Sequence, residues 1–367
     1  MISVRSRLVA GLLLLFTFSF ARLEAYAQDH HHVFVKELPT DASRDPNLPG
    51  SIDNNYFRAI PPHREGNHTV WEYFITVTEH TVLLANKKPY KVWAYGNRVP
   101  GPTLTAVEGD LVKVTLSNET SVGHTIHFHG LYVTPEMDGV PPVSPMVMPG
   151  SSYTYSFIAR PAGTHFYHCH VDTNEHMNRG MSGAFIVKTR IPEPRVDLDW
   201  VLLLSEWNSK YAEEGKPGNP REVNDTDYFT INGKSFPYTA PIDLVQGQVA
   251  RLRLINVGSQ THSIHLHGQS FLVTHKDGAP MREPQEMDTV AISPGERIDL
   301  LIKADQPGEW PMHCHTAAHQ TNAGVYPGGM MTHVRITAAS KPYPTSLWGL
   351  SALRKQWRQS AIVHEDR

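Results

Sequence analysis

The chain has 367 residues, which suffices for two domains of ordinary size. Its formal net charge is −3, from 33 basic and 36 acidic residues, and no basic stripe or acidic tail indicates a nucleic-acid partner or a solvating segment. The 28 prolines and 26 glycines favour a loop-rich β protein over a helical one, and histidine, at 22 residues, is unusually abundant.

The first 27 residues have the pattern of a secretory signal peptide. Arg5 and Arg7 precede an apolar run over residues 8–21, which is too short to span a bilayer comfortably. Ala25-Tyr26-Ala27 forms a small-residue cleavage site, so the signal is expected to end at residue 27. These features predict an exported, periplasmic or extracellular protein with no membrane contact after cleavage. A retained membrane anchor is the competing interpretation.

The first predicted domain, residues 69–190, follows an N-terminal segment over residues 28–68. The histidines at 30–32 of that segment have two interpretations, a solvated tail or a tail that scavenges copper. Several runs of the domain alternate apolar and polar side chains, or are short and extended between Gly and Pro turns, which predicts β-strands. The predicted strands are Leu111–Asn118, Ser152–Ile158 and His165–His168.

The second predicted domain spans residues 191–340, with its joint at 191–200 and a polar loop over 212–227. Its predicted strands are Val249–Asn256 and Arg297–Lys303. Short alternating strands with frequent turns predict an all-β fold, with a Greek-key β-sandwich or barrel in each domain. Residues 341–367 form a C-terminal tail, in which a short helix is predicted over residues 351–359.

The two domains are related by an internal sequence repeat. Gly109 and Gly247 are each followed, fifteen residues later, by a histidine cluster. The clusters read His124-Thr-Ile-His127-Phe-His129-Gly130 and His262-Ser-Ile-His265-Leu-His267-Gly268. Both copies continue with a Pro-Gly turn and then a His-Cys-His tripeptide, at 168–170 and 313–315. Two runs that match at this many offsets indicate one duplicated domain.

The two cysteines of the chain, Cys169 and Cys314, occupy the middle of these tripeptides. A disulfide is an alternative for an exported protein, but equivalent core positions of two domains are not expected within the roughly 7 Å Cα reach of a disulfide. Neighbouring side chains of a strand face opposite sides. Each cysteine therefore points away from its flanking histidines, so that one face offers a thiolate to a metal and the other offers imidazoles. A set of packed core residues is the alternative.

Each domain also contains the ligands of a blue copper site, which are a thiolate, two imidazoles and a weakly bound thioether. In the first domain these are His124, Cys169, His176 and Met181, with Met177 as the rival axial ligand. In the second domain they are His262, Cys314, His319 and Met330, with Met331 as the rival. The loop before Met330 is longer than its counterpart, so the second methionine is expected to be displaced. A vestigial second site with a buried Cys314 thiol is the alternative.

Eight further histidines are arranged as four His-x-His pairs. The pairs are His127/His129, His168/His170, His265/His267 and His313/His315. Neutral imidazoles without carboxylates favour copper over magnesium, calcium or manganese, and eight are too many for one zinc ion, which takes about four ligands. These pairs predict a cluster of several copper ions between two domains.

The histidine cluster followed by His-Cys-His, present twice, resembles the pattern of the multicopper oxidases, and most closely that of the two-domain laccases, over about residues 70–336. The resemblance implies two cupredoxin domains, a type 1 copper, and a trinuclear copper cluster ligated by the eight paired histidines. It also implies a homotrimer, with the cluster between domain 1 of one subunit and domain 2 of the next. His-Cys-His in both domains departs from the family pattern and leaves open which domain holds the electron-accepting copper. The intact methionine spacing favours domain 1.

The implied activity is that of a laccase-like copper oxidoreductase. A small-molecule or metal-ion reductant donates single electrons to the type 1 copper, and dioxygen is converted to water at the cluster. Asp138, nine residues beyond His129, resembles the family's carboxylate near the cluster and is the candidate proton donor. An ordinary turn aspartate before glycine is the alternative. Asp172 and Glu175 are weaker candidates, because charged loop residues are usually solvated.

Two other functions are compatible with parts of the pattern. A copper nitrite reductase shares the fold, the trimer and a blue site in domain 1, but it leaves most of the His-x-His pairs unexplained. A non-catalytic blue-copper carrier predicts no cluster and no oxygen consumption. The reductant stays open among phenols, aryl amines and metal ions, and the eleven methionines form no dense segment that favours a dedicated cuprous-ion oxidase. Three other histidines are expected to be packed or surface residues: His165, His275 and His333.

Overall fold

The computed structural model describes residues 55–209, 225–344, 346 and 349–365. In these ranges the chain forms twenty β-strands, and its helices are short apart from the one at the C-terminus. The prediction of an all-β fold is confirmed. The predicted signal peptide, the histidines at 30–32 and most of the predicted loop over 212–227 lie outside the described residues.

Nine strands make up the first half of the described chain. They are β1 (Phe57–Glu65), β2 (His68–Leu83), β3 (Pro89–Tyr95), β4 (Gly101–Val107), β5 (Leu111–Asn118), β6 (His127–His129), β7 (Ser152–Ile158), β8 (Gly163–His168) and β9 (Ser182–Lys188). One sheet has the order β1-β2-β5-β7, with β3 also paired to β2, and the other has the order β4-β9-β8-β6. Strands β2 and β5 are parallel, as are β4 and β9. The two sheets enclose one hydrophobic core, as in a β-sandwich.

Eleven strands make up the second half. They are β10 (Leu198–Trp207), β11 (Tyr228–Ile231), β12 (Ile242–Val245), β13 (Val249–Asn256), β14 (His262–Leu266), β15 (Phe271–Lys276), β16 (Ala279–Met287), β17 (Thr289–Ile292), β18 (Arg297–Lys303), β19 (Gly308–Cys314) and β20 (Met331–Thr337). The sheets have the orders β11-β10-β13-β18-β15-β16 and β12-β20-β19-β14-β17. Here β10 and β13 are parallel, as are β12 and β20, which repeats the arrangement of the first half. The sequence repeat is therefore a repeat of topology, while the domain boundaries stay a prediction.

The alternation of side chains explains why these segments form strands. In β5, Val112, Val114 and Leu116 are fully buried, and the positions between them are half-buried. Strand β13 also alternates, yet its polar positions are buried as well. There Arg251 pairs with a carboxylate of Glu193 at 2.9 Å, which makes the burial of its charge tolerable.

A buried polar network joins β8 of the first half to the second half. The Thr164 hydroxyl donates to the Asp299 carboxylate at 2.7 Å and accepts from the Arg253 guanidinium at 2.7 Å. Arg253 also donates to the other oxygen of Asp299 at 3.1 Å. The three side chains are buried, so each would be costly to leave unpaired. Since β8 leads into His168 and Cys169, the network fixes these residues relative to the second half.

The C-terminal helix, Ser351–Glu365, begins at the predicted residue and extends beyond the predicted end. Its residues Leu353 and Trp357 pack against Leu272 and Leu301 of the second half. The helix therefore covers the outer face of a sheet of that half. None of the helices in the described ranges is long and apolar enough to cross a membrane.

Candidate metal centres

Three of the predicted type 1 ligands of the first half meet in a buried group. The Sγ atom of Cys169 lies 3.1 Å from Nδ1 of His176 and 3.9 Å from Nδ1 of His124, and the two Nδ1 atoms are 3.2 Å apart. A backbone bridge to Val147 positions His124, and Cys169 directly follows β8. His176 lies on the short helix Thr173–Asn178, which returns the chain to the cysteine. None of the three ligand residues is more than 3% exposed.

Met181 lies next to this group. It is fully buried and shares a hydrophobic cluster with Cys169. Its carbonyl accepts a hydrogen bond from the Cys169 amide at 3.2 Å, and its amide donates to the His176 carbonyl at 3.0 Å. The rival Met177 packs in a different cluster, with Phe166, between the two halves. The geometry therefore favours Met181 as the fourth ligand.

The surroundings keep both imidazoles of the first group neutral. Burial, with a smaller contribution from His176, lowers the pKa of His124 to about 3. Burial also lowers the pKa of His176 to about 4. The Thr120 hydroxyl donates to the Asn118 side chain at 2.8 Å and is 2.7 Å from Nε2 of His124, so that Nε2 is the donor to Thr120. Nδ1 of His124, which is near both His176 and Cys169, then keeps its lone pair and can bind a metal.

The second half contains the same group. The Sγ atom of Cys314 lies 3.4 Å from Nδ1 of His319 and 3.8 Å from Nδ1 of His262, and the two Nδ1 atoms are 3.1 Å apart. The Cys314 amide donates to the Met330 carbonyl at 2.9 Å, and the Met330 amide donates to the His319 carbonyl at 2.8 Å. The same two backbone hydrogen bonds hold Met181 in the first half. Both cysteines are free thiols.

The expectation that the longer loop displaces Met330 is wrong. The extra residues form a loop that is closed at its base, where the Gly328 amide donates to the Gln320 carbonyl at 2.8 Å. Met330 is fully buried in the core cluster that contains Cys314. The rival Met331 begins β20 and lies outside that cluster. The position of the methionine is therefore conserved between the halves although the loop length is not.

A buried carboxylate distinguishes the second group from the first. Nε2 of His262 is 2.7 Å from Oε1 of Glu206, at the place where His124 has a threonine hydroxyl. Glu206 is 2% exposed and also accepts hydrogen bonds from the amides of Ser259 at 2.9 Å and Gln260 at 3.1 Å. Glu206 could not be identified from the sequence. The available signal is an acidic residue just after the apolar run of strand β10, at a position that is buried.

The carboxylate changes the charge state of the metal-free group. Burial by itself lowers the pKa of His262, but its hydrogen bonds with Cys314 and Glu206 raise the pKa to about 9. Burial by itself raises the pKa of Cys314, but hydrogen bonds from His262 and His319 lower the pKa to about 5. In contrast, burial raises the pKa of Cys169. At neutral pH the second group is an imidazolium–thiolate pair, whereas the first is a thiol beside neutral imidazoles.

The eight remaining histidines form two quartets, one in each half. The first quartet is His127, His129, His168 and His170, and the second is His265, His267, His313 and His315. Ring centroids of neighbours are 5.0 to 6.0 Å apart in the first quartet and 4.7 to 5.8 Å apart in the second. Strand register produces this proximity, because His127 is directly opposite His168 in the β6–β8 pair. The β14–β19 pair sets His265 opposite His313 in the same way.

Backbone carbonyls fix the tautomer of four quartet histidines, each at 2.8 or 2.9 Å from Nδ1. The pairs are His127 with Asp138, His168 with Cys169, His265 with Asp288, and His313 with Cys314. Because Nδ1 carries the proton, Nε2 is left with its lone pair and can bind a metal. Burial also lowers the pKa of His168 to about 3, which keeps that imidazole neutral.

The two quartets are separate in the chain. Among the described residues, the ring contacts between quartet histidines all stay within one quartet. The second quartet is also the more open, since His267 and His315 are exposed whereas every member of the first quartet is buried or half-buried. Each quartet therefore offers half of the predicted eight-histidine site.

Asp138 lies beside the first quartet. Its carbonyl accepts from Nδ1 of His127, and its carboxylate oxygen is 3.3 Å from the same nitrogen. Asp138 also caps the C-terminal end of the short 3-10 helix Pro135–Met137. It is therefore both a turn residue and a neighbour of the quartet. Asp288 is the counterpart in the second half, because its carbonyl accepts from His265. Asp288 is not among the residues predicted from the sequence, although a Met-Asp dipeptide occurs both at 137–138 and at 287–288.

The other candidates have partners that account for them. Glu175 accepts from Arg179 at 3.0 Å, and Asp172 precedes the helix Thr173–Asn178. Neither is among the contacts of a quartet histidine, so Asp138 is the better placed carboxylate. The three histidines outside the centres contact the following groups: His165 the Pro161 carbonyl, His275 the carboxylates of Glu193 and Asp299, and His333 the Glu309 carboxylate.

Comparison with known proteins relates this geometry to a family. Residues 76–191 and residues 214–337 each match a family model described as multicopper oxidase. A blue copper oxidase from Nitrosomonas europaea is 39% identical with a TM-score of 0.70, over 77% of this chain and 94% of that one. A multicopper oxidase of Mycobacterium tuberculosis is 29% identical over 57% of this chain, and Laccase-24 of Oryza sativa subsp. japonica is 32% identical over 64%. The chain spans 47% and 44% of the lengths of those last two relatives.

Proposed function

The chain belongs to the multicopper oxidase family, and on that basis we propose that it is a laccase-like oxidase. It couples the one-electron oxidation of a small reductant at a type 1 copper to the reduction of dioxygen to water at a trinuclear copper cluster. The observation that carries this proposal is the position of Cys169. Its thiol belongs to a buried type 1 group, while its two neighbours, His168 and His170, belong to a histidine quartet.

The first group fits a copper ion. Two Nδ1 atoms face each other at 3.2 Å, and the sulfur of Cys169 lies 3.1 Å from the nearer one. The thiol proton of Cys169 can form a hydrogen bond with only one of the two Nδ1 atoms. A bound cation can be coordinated by both nitrogens and the sulfur at once. A thiolate, two imidazoles and a thioether are the donors of blue copper. We therefore assign the type 1 copper to His124, Cys169, His176 and Met181.

The two quartets fit a cluster that is shared between chains. Eight imidazoles, four of which present Nε2 because a carbonyl binds their Nδ1, are suitable ligands for three copper ions. The separation of the quartets and the exposure of His267 and His315 favour completion of each quartet by another subunit. A head-to-tail pairing forms a ring when its rotation closes, and the resemblance to the two-domain laccases implies a ring of three subunits. We infer a homotrimer with one trinuclear cluster at each subunit interface.

Copper bound by these residues would supply one-electron redox chemistry between the reductant and dioxygen. The protein positions its ligands for this chemistry. His124 and His176 hold the electron-accepting site by Nδ1, and the main chain of Cys169 connects that site to the first quartet. Asp138, with its carboxylate 3.3 Å from Nδ1 of His127, takes protons from solvent and passes them towards the quartet.

A second type 1 copper is part of the proposal. His262, Cys314 and His319 repeat the distances of the first group, and the backbone of Met330 repeats that of Met181. The preservation of this geometry favours a functional metal site over a vestigial one. The electron-accepting role is nevertheless assigned to the first half, whose neutral surroundings favour reduction of its copper over that of the copper beside Glu206.

The signal-peptide pattern of residues 1–27 supports export of the protein to the periplasm or the medium. The reductant is a small molecule or a metal ion.

Copper bound per chain in the fully loaded protein, measured together with oxygen consumption, tests the proposal. About five copper ions per chain are expected, from two type 1 sites and one shared cluster, and about four would mean that the second type 1 site is silent. About two, with no oxygen consumption, would contradict the oxidase and favour a nitrite reductase or a carrier. His127→Ala is the matched control, since it should remove cluster copper and leave the type 1 absorption in place.

A further inference from the structure

The four residues assigned to the first type 1 copper are closed off from solvent. His124, Cys169 and Met181 are 0% exposed, and His176 is 3% exposed. A reductant in solution therefore has almost no direct contact with the four ligand residues. The electron must reach the site through whichever side chain lies between the histidines and the surface.

Trp93 is that side chain. Its ring centroid is 4.6 Å from that of His176 and 5.5 Å from that of His124, in edge-on contact with both. It is 8% exposed, more than any of the four ligands. Trp93 lies on β3, where its amide donates to the Arg179 carbonyl at 3.0 Å, just after the helix that carries His176. The indole thus bridges the histidines and the surface.

The indole is held by charged neighbours on two sides. Its Nε1 donates to Glu79 at 2.8 Å, the residue directly opposite on β2, and the Arg179 guanidinium lies 4.7 Å from the ring centroid. Burial raises the pKa of Glu79, but hydrogen bonds from Lys91 and Trp93 outweigh this and lower the pKa below its usual value. Lys91 pairs with Glu79 at 2.7 Å, and Glu175 pairs with Arg179 at 3.0 Å. The charges around the ring balance, so they favour an uncharged ligand.

Among the described residues, the ring contacts of the second group include no indole. There the ring of His319 stacks on Phe229, with centroids 4.1 Å apart, and Nε2 of His319 is 2.9 Å from the side-chain oxygen of Gln260. Phe229 is itself buried, at 4% exposure. The phenyl ring is less easily oxidised and less polarisable than an indole. The two halves therefore differ in the ring through which an electron would reach the copper.

We propose that Trp93 is the residue through which electrons enter the first type 1 site, and that an uncharged aromatic reductant docks at the exposed part of its side chain, beside Glu79 and Lys91. This inference rests on the proposed function. In each step the reductant loses one electron and the copper held by His176 gains it. No bond of the protein forms or breaks, and the indole ends the step unchanged. An oxidised phenol or aryl amine releases its proton to solvent.

Anaerobic stopped-flow reduction of the copper-loaded protein tests this inference. Trp93→Phe should slow loss of the blue absorption with an uncharged hydroquinone by about tenfold, the equivalent of about 1.4 kcal/mol in the barrier. Copper content and the absorption spectrum should stay unchanged. The control is Trp71→Phe, since Trp71 donates to Asp110 and is not in ring contact with the histidines. An unchanged rate in Trp93→Phe would overturn the inference and indicate entry at the edge of His176.

A surface variant tests the docking position without touching the indole. Lys91→Glu should speed reduction by a cationic probe and slow reduction by ferrocyanide, each by a few-fold and less at high salt. Lys113→Glu makes the same charge change elsewhere in the first half, where Lys113 pairs with Glu65, and should have little effect. Equal effects of the two variants would contradict docking at Trp93. A wild-type protein that binds no blue copper would instead contradict the proposed function.

Discussion

In the first half His124 is hydrogen-bonded to the hydroxyl of Thr120, and in the second half the equivalent His262 is hydrogen-bonded to the buried carboxylate of Glu206. The types of ligand and the backbone hydrogen bonds of the methionine are otherwise the same, and the distances between ligand atoms are similar. Duplication has therefore preserved the geometry of the ligand residues, while the residues around them have diverged. A carboxylate makes the imidazole a stronger donor and stabilises the more highly charged metal, so the two sites should differ in potential and affinity.

The largest expected difference concerns turnover. Cys169→Ser should reduce oxygen consumption by about 100-fold or more, because it removes the assigned electron acceptor and its link to the first quartet. Cys314→Ser should leave most of the turnover and remove one copper per chain. Oxygen-electrode assays with copper analysis check both variants. The reverse order of effects would assign the electron-accepting role to the second half.

A smaller difference concerns copper affinity. Glu206→Gln should weaken binding at the second type 1 site by about 10- to 100-fold, because the hydrogen-bonded carboxylate strengthens His262 as a ligand. Thr120→Val, the matched change in the first half, removes only a neutral partner and should have a smaller effect. Competition of each metal-free variant with a copper chelator measures this. Equal losses would mean that the carboxylate has no special role.

Metal removal reveals a difference in thiol ionisation. In metal-free Cys169→Ser the remaining thiol, Cys314, should titrate near pH 5, and in metal-free Cys314→Ser the remaining Cys169 should titrate above its ordinary pKa of 9.0. Ultraviolet absorption of the thiolate measures both midpoints. Similar midpoints for the two thiols would show that Glu206 does not create an ion pair.

The same ionisations set a pH dependence of stability in the metal-free protein. The depressed pKa of Cys314 contributes stability that is lost as pH falls from 9.0 towards about 5, and the raised pKa of His262 contributes stability that is lost as pH rises from 6.5 towards about 9. The changes of the two contributions with pH cancel between pH 6.5 and 9.0, where folding only moves one proton from sulfur to imidazole. A net loss is therefore expected as pH falls from 6.5 to 5. Thermal unfolding of wild type and Cys314→Ser across this range checks it.

The smallest expected effect concerns the methionines. Met181→Leu and Met330→Leu should each raise the reduction potential of their own type 1 copper slightly, because both remove a thioether from the same position. Redox titration of the blue absorption measures the two shifts. No shift in Met330→Leu would mean that the side chain of Met330 is remote from the copper although its backbone is held like that of Met181.

The strands could be predicted from sequence where alternation was clear. The bounds of β5, β7, β13 and β18 coincide with the predicted runs, because each strand has one face in a core and turn residues at its ends. The ligand groups followed from the repeat, since His-Cys-His on a strand requires two different faces. These are local properties, and a single sequence displays them.

Other features depend on contacts between distant strands and could not be predicted. Glu206 lies 56 residues before His262, and contacts of β10 with the segment between β13 and β14 bring the two together. Trp93 meets His176 across a sandwich whose register the sequence did not reveal. The position of Met330 could not be predicted from loop length, because a hydrogen bond at the base of the loop cancels its extra residues.

The alternation of the His-Cys-His strand limits how this protein can change during evolution. Cys169 lies on one face, and His168 and His170 lie on the other, while His127 is fixed opposite His168. Insertion or deletion of one residue in β8 would exchange the two faces and disable both metal centres in a single event. Substitutions around a centre leave this alternation intact, as Thr120 and Glu206, the different partners of His124 and His262, illustrate. Insertions in loops also leave it intact, as the longer loop before Met330 in the second half illustrates.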